Sequence, residues 1–329
     1  NLHLRTASRV LLRVGSFRAA AFSELRKKAS RLPWERFFEK GRPVAVRATC
    51  RSSKLYHSEA VAERVVGAIG DRLGAPAERV KAADDEAQSP PQLVLVRFVD
   101  DVCTLSVDTS GALLHRRGYR LATAKAPLRE TLAAGLIAAS GWDGTSPLVD
   151  PFCGSGTIAI EAALLALGRA PGASRRFAFM EWPCFDRALW ERVVAETTAP
   201  PAKAQLSIAG FDRDAGAVRM ASENAARAHV AELIRFGKSA VSSLEPPCKK
   251  GFIVTNPPYG HRLGEGEELR DLYARFGAVL RERCPGWRVA VLCSDKRLLA
   301  AMRLDLDTSL SFSNGGLRVY VARGIAEAR

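Results

Sequence analysis

The sequence predicts an α/β chain of two domains: a small α+β unit over residues 1–118, then a mostly parallel, doubly wound sheet with an antiparallel C-terminal hairpin over 119–329. Three observations carry this expectation. From Pro147 onward, short apolar runs alternate with helical patterns, as in strand–helix crossovers of a parallel sheet. Between the first run, Pro147 to Asp150, and the first following helix sits a turn with Gly154 and Gly156, where the backbone bends tightly onto a helix N-terminus. Before residue 118 the pattern differs: Val44 to Thr49 alternates in polarity like a half-buried strand.

Taken in order, Ser8 to Val14 reads as a strand and Ala19 to Ser30 as a helix, with a helical turn region over Pro33 to Glu39. Strand Val44 to Thr49 follows. A helix from Ser58 to about Leu73 places Ala60, Val61, Val65, Ala68 and Ile69 on one face. The polar, proline-bounded Ala83 to Pro91 reads as a mobile loop, and Gln92 to Val99 and Val102 to Asp108 as strands joined through Asp100-Asp101. Leu114 to Pro127 connects the domains. Leu128 to Ala139 is a helix stopped by Gly141, and Ile158 to Leu167 is the helix after the glycine turn. The insertion Gly168 to Pro201 carries its own helix, whose aromatics are expected to pack it onto the sheet. Strands are expected at Leu206–Phe211, Leu233–Phe236, Gly251–Thr255 and Trp287–Cys293, with helices from Asp214 and over Glu267–Arg283. Arg303 to Leu310 and Leu317 to Gly324 read as the closing hairpin, turning through Asn314-Gly-Gly316.

Composition narrows the function. A formal charge of +14 and a pI near 9.8 suit a polyanionic partner. Residues 1–118 hold 21 Lys and Arg against 13 Asp and Glu, and the remainder 28 against 22, so the N-terminal portion is the more basic per residue. An Arg- and Ala-rich composition raises charge anywhere, so charge alone does not name the partner. Seven cysteines without a C-x-x-C pair form a reducing-compartment pattern with neither a disulfide framework nor a metal site, and a cytoplasmic protein is expected. No apolar run approaches the roughly 18 residues of a membrane span. The chain begins at Asn1 without methionine, and Leu2 to Arg5 reads like the interior of a domain, so preceding sequence is expected.

Two stretches carry chemistry. In Phe252-Ile-Val-Thr-Asn-Pro-Pro-Tyr259 a buried-strand run stops at two prolines, which fix the directions of the carbonyls around them. The Asn256 side-chain oxygen and the Pro257 carbonyl could hold both hydrogens of an exocyclic nucleobase amine, Pro258 stiffens the loop, and Tyr259 offers a face for a base taken out of its helix. The plainer alternative is a turn after a strand. The second stretch, Asp150-Pro-Phe-Cys-Gly-Ser-Gly-Thr157, suits a nucleotide-like cofactor: Gly154 and Gly156 allow close approach and the helix amides point at the same place. It also satisfies G-x-G-x-x-A, a dinucleotide template. That template asks for an acid about twenty residues on, and residues 169–180 contain none. Asp212, at the end of the next good strand, can accept from both ribose hydroxyls.

These two motifs, with Arg117-Gly-Tyr-Arg120, Ala126-Pro-Leu-Arg-Glu-Thr-Leu132, Phe177-Ala-Phe-Met-Glu-Trp-Pro183 and Asn256-Pro-Pro-Tyr-Gly-His-Arg262, resemble class I S-adenosylmethionine-dependent methyltransferases with a Rossmann-like domain. The resemblance is to the THUMP-domain RNA guanine-N2 methyltransferases, in particular those of bacterial 23S rRNA, and covers most of the chain. It implies S-adenosylmethionine as cofactor, held by Asp150, Phe152, Gly154, Ser155, Gly156, Thr157, Asp212, Arg213 and Asn256, with Thr131, Leu132 and Leu136 along its methionine end. For Phe152 a structural role is an equal alternative. Relatives place an aspartate after the third strand; here Ser239 stands, a weaker acceptor for the adenine amine. The pattern Arg47 to Ser58 resembles a THUMP domain, a structured-RNA module, which implies phosphate contacts by Arg47, Arg51, Lys54, Tyr56 and His57, and by Arg117 and Arg120 near the cofactor. Tyr56 taken alone reads better as packed into the domain, and a lone histidine such as His57 as locally satisfied. The match over Phe177 to Trp190 favours rRNA over tRNA. A cofactor fold kept only for RNA binding, and an NAD-dependent oxidoreductase, are the alternatives from other classes.

Overall fold

The computed structural model describes residues 1–81, 91–120, 128–197, 206–259, 266–314 and 316–327. The first elements are β1 (Leu11–Arg18), α1 (Phe22–Ala29), β2 (Val44–Arg51), α2 (Ser58–Leu73), β3 (Arg79–Val80), β4 (Leu93–Val99) and β5 (Val102–Asp108). Then come α3 (Glu130–Ser140), β6 (Leu148–Asp150), α4 (Thr157–Ala166), α5 (Arg187–Thr197), β7 (Ile208–Asp212), α6 (Ala215–Arg227), β8 (Ile234–Lys238) and β9 (Phe252–Thr255). The last are α7 (Gly266–Arg283), β10 (Arg288–Cys293), α8 (Lys296–Ala301), β11 (Leu306–Asp307), β12 (Ser311–Asn314) and β13 (Leu317–Ile325).

Two compact units result, one of residues 1–116 with 172–197, the other of 117–171 with 198–329. In the first, the strands lie in the order β1-β5-β4-β2-β3, with β2 parallel to β3 and β4, and β5 antiparallel to both its neighbours. The apolar side of α2, including Val61, Val65 and Ile69, packs on Val44, Val46, Val96 and Leu105. The other sheet face carries exposed Arg47, Thr49, Arg51 and Arg97 beside partly buried Leu95, Val99 and Val102.

The Gly172–Thr197 segment belongs to this first unit, and its aromatics do not pack onto the parallel sheet as expected. Trp182 sits edge-on to Phe37, with ring centroids 4.9 Å apart, and its Nε1 donates to the Gln92 side chain at 2.7 Å. Phe177 and Phe179 stack at 5.5 Å.

The second unit holds the sheet β11-β13-β10-β9-β6-β7-β8, with β12 also on β13. Strands β8, β7, β6, β9 and β10 are mutually parallel, and β13 returns antiparallel to β10. β6 and β9 are buried along their whole length, which is why they read as unbroken apolar runs. Strand order reverses between β6 and β9, so the crevice beyond their carboxyl ends is the topological switch point where such sheets bind ligands.

The C-terminal pairing differs from the expected two-arm hairpin. The first arm is split into β11 and β12, both on β13, because the Asp307 carboxylate accepts from Ser309 N at 2.8 Å and turns the chain between them. Helix α8, which the sequence reading omits, is capped by the Asp295 carboxylate accepting from Arg297 N at 2.7 Å. Among the described residues no helix is long and apolar enough to cross a membrane, and no group of three or more His, Cys, Asp or Glu could hold a metal ion.

Candidate functional site

The ends of β6, β7 and β9 converge on one constellation. Asp150 closes β6 and is 1% exposed. Thr255, closing β9, donates to Asp150 Oδ1 at 2.6 Å, and Phe152 N donates to the same oxygen at 3.1 Å. Burial pushes the Asp150 carboxyl up to about 7; the Thr255 and Phe152 hydrogen bonds oppose this and the charge of Asp212 adds to it. Such a group ionises readily once a cation is placed beside it. Burial also pushes the Cys153 thiol far up, with Asp150 and Asp212 adding, which disfavours its thiolate.

The glycine loop is fixed from below. Gly154 and Gly156 have φ of +49° and +82°. A Cβ on Gly156 would stand 2.9 Å from Ala221 Cβ and 3.0 Å from Phe236 Cζ, whereas on Gly154 it would meet nothing within 4 Å. Position 156 therefore needs glycine for packing and conformation, and position 154 borders open space. Asp212, closing β7, accepts from Gly154 N at 3.0 Å and Asp214 N at 2.9 Å, one on each carboxylate oxygen. Each oxygen keeps a further acceptor site for a hydroxyl pair. Ser239 N donates to Asp212 O at 2.9 Å, which sets Ser239 beside Asp212; its hydroxyl donates to Ala240 O at 3.3 Å and retains its lone pairs as acceptors. Arg213, next to Asp212, is exposed. Phe152 lies edge-on to Phe276 of α7 at 5.2 Å and is half-buried, so the packing role is the one its contacts show.

Beyond β9, Asn256 Oδ1 is buried and without a hydrogen-bond partner among the described residues. A buried acceptor left unmade costs about 1–3 kcal/mol, which a donor arriving from a ligand would offset. Pro257 is buried, Pro258 and Tyr259 are half-buried, and Tyr259 packs against the apolar cluster beneath α7. Gly260 to Arg262 of the same motif, Ala126-Pro127 and most of the expected 83–91 loop lie outside the described residues.

Sequence reasoning missed the supports. Asn224 of α6, fully buried, donates to Ser155 O at 3.0 Å; Thr255 was hidden at the end of an apolar strand. Arg120 donates to Thr157 Oγ1 at 2.5 Å and to Leu128 O at 3.0 Å, and pairs with buried Glu130 at 3.6 Å. Burial pushes Glu130 up to about 7, against the pull of Arg120. Arg117 pairs with Glu161 at 3.5 Å, and Tyr119 OH donates to Glu161 at 3.3 Å.

Several expectations need correction. Arg117 does not face RNA: its side chain is 3% exposed and committed to a carboxylate that would otherwise be a buried charge. Arg120 is likewise turned inward, onto the glycine loop. The Thr157 hydroxyl accepts from Arg120, and Leu136 sits in the core; Thr131, 5% exposed, follows Glu130 in the first turn of α3. Tyr56 is not packed into its domain but 69% exposed, its ring 4.1 Å from that of exposed His57. Arg47, Arg51 and Lys54 are exposed as expected.

A reversed-order parallel sheet closed by an antiparallel strand, with a glycine loop over β6 and an Asn-Pro-Pro-Tyr loop over β9, defines a class I methyltransferase domain. Residues 117–319 match the family model described as RMKL-like, methyltransferase domain, and residues 19–108 match the THUMP domain model. The chain therefore belongs to the RMKL-like methyltransferase family. It is 36% identical over 325 residues to the ribosomal RNA large subunit methyltransferase K/L of Shewanella sp. (strain W3-18-1), covering 96% of this chain and 45% of that protein. The chain thus spans just under half the length of such relatives. A Synechocystis protein provisionally named an RNA methyltransferase is 35% identical over 321 residues, covering 96% of this chain and 83% of its own. A protein provisionally named a methyltransferase, crystallised with S-adenosylhomocysteine, superposes with a TM-score of 0.85 at 30% identity, over 100% of this chain and 86% of its own.

Proposed function

We propose that this chain methylates the exocyclic N2 amine of a guanine in 23S rRNA, using S-adenosylmethionine. The observation that carries the proposal is the buried, unpartnered Asn256 Oδ1 beside the switch point that Asp150 and Asp212 line. The residues suit the cofactor's parts: Asp150 for the ammonium of the amino-acid end, the open space beside Gly154 for close approach, Asp212 for the ribose hydroxyls, Ser239 for the adenine amine. Thr131, Phe152 and Arg213 border it. When bound, the cofactor supplies an electrophilic methyl group on a sulfonium.

The protein's share is alignment more than acid–base power. The guanine amine is conjugated to its ring, and its lone pair is poorly available. Asn256 Oδ1 and the Pro257 carbonyl accept its two hydrogens, which orients the lone pair and stabilises the positive charge developing on nitrogen. Pro258 keeps the two acceptors in fixed relation, and Tyr259 stacks on the extruded base. The methylated amine loses its proton to water, so no histidine or glutamate base is required. Arg47, Arg51, Lys54, Tyr56 and His57 contact RNA.

The test is methyl transfer from labelled S-adenosylmethionine to rRNA and tRNA of a strain lacking this protein, with nucleoside mass spectrometry. N2-methylguanosine in large-subunit rRNA is expected, reduced about 100- to 1,000-fold in Asn256→Ala at saturating cofactor. The same product only in tRNA, or methylation at an adenine amine, would overturn the substrate; transfer undiminished in Asn256→Ala would overturn the mechanism.

A further inference from the structure

The face of the N-terminal sheet away from its helices carries more cations than the predicted Arg47 and Arg51. Side chains of a strand alternate between faces, so strand register decides which residues share the side away from α1 and α2. One row runs from Arg47 through Leu95 and Ser106 to Arg13. Two residues along, Thr49 stands opposite Arg97, Arg97 opposite Thr104, and Thr104 opposite Ser16. The third row runs from Arg51 through Val99 and Val102 to Arg18. All five arginines are exposed, and no acid stands in these rows. Asp108, in the next row, is buried and taken by Arg9. At the opposite end the β4–β5 turn brings Asp100 and Asp101, and the Asp101 carboxylate accepts from Lys54 N at 2.7 Å.

We infer that this face is a platform for the two phosphate rows of an RNA duplex, an inference that rests on the RNA methyltransferase reading above. The arginines stand in two columns, on β2 and on β1, about 14 Å apart by the spacing of strands, with Arg97 between them. Guanidinium forks suit phosphate oxygens, and the Ser and Thr hydroxyls between the columns suit 2′-hydroxyls across a wide, shallow minor groove. No aromatic stands in the rows, so the face lacks the stacking platform by which sheets hold unpaired bases. The occupant is thus a duplex backbone, read by shape.

The experiment measures binding of a 20-base-pair RNA duplex, the matching single strand and the matching DNA duplex to the full chain without cofactor, across salt concentrations. Arg13→Gln with Arg97→Gln is compared with a charge-matched control on the helix layer, Arg26→Gln with Arg72→Gln. Duplex RNA is expected to bind tightest. The sheet pair should weaken it about tenfold or more and lower the salt slope by about two, and the control should change affinity less than twofold. If the sheet pair fails to fold, Arg18→Gln with Arg51→Gln replaces it. Equal losses in both pairs, unchanged binding in the sheet pair, or a single strand that binds as tightly as the duplex would overturn the inference. Methyl transfer is assayed separately: its absence with duplex binding lost in the sheet pair refutes only the catalytic reading, and its presence with duplex binding intact in that pair refutes only the platform.

Discussion

Asp150→Asn probes the buried carboxyl at the switch point. Its ordinary value is 3.8, and burial in the folded chain raises it to about 7. Between those values the folded state binds a proton that the unfolded state has released, so the stability this group contributes is present below pH 3.8 and lost as pH rises towards about 7. Integrating between pH 5 and pH 8 gives a loss of about 2.5 kcal/mol from this residue alone. Glu130, raised to about 7 by its own burial, titrates in the same window but is common to both proteins and cancels in the difference. Native-state hydrogen exchange of the β6 and β9 amides reports the opening of the second unit without interference from the first. The cofactor-free protein should lose about 2.5 kcal/mol relative to Asp150→Asn from pH 5 to pH 8. A gap between the two proteins that is constant within about 0.5 kcal/mol would refute a carboxyl held neutral by burial.

Ser239→Asp supplies a stronger acceptor beside Asp212 and is expected to tighten cofactor binding about tenfold by calorimetry; an unchanged or weaker Kd would contradict the proposed adenine contact. Arg117→Met takes a cation from the buried Glu161 carboxylate and should cost about 3–5 kcal/mol, most of it regained in combination with Glu161→Gln; lost RNA affinity at unchanged stability would restore the surface role read from sequence. Gly156→Ala must adopt φ near +82° and press on Ala221, so it should destabilise by about 1–3 kcal/mol in thermal unfolding, and more than Gly154→Ala, where the Cβ meets open space.

The parallel strands and both site loops were legible because local pattern determines them: β6 and β9 need continuous apolar runs, and the loops need glycine or proline at fixed offsets. What escaped was partnership at a distance. Arg117 is an exposed linker cation until Glu161, 44 residues on, is folded against it. The aromatics of Phe177 to Trp190 announce an apolar face without naming the surface that covers it, and Gln92 and Phe37 are what they meet. Strand β3 pairs over two residues, too few for any periodicity, and Thr255 looked like the tail of an apolar strand although its hydroxyl holds Asp150.

Because Gly172–Thr197 folds with the first unit yet lies between α4 and β7 of the second, the chain leaves the methyltransferase unit and returns to it. Cutting at the 118/119 boundary would strand Phe179 and Trp182 on a fragment without Phe37 and Gln92, exposing apolar rings to solvent and to other chains. Nor would a crossover at that point hand the complete first unit to a new neighbour, since part of that unit would stay behind. No single cut in the chain therefore separates the two units whole, and either can be altered cleanly only by substitution within the intact chain.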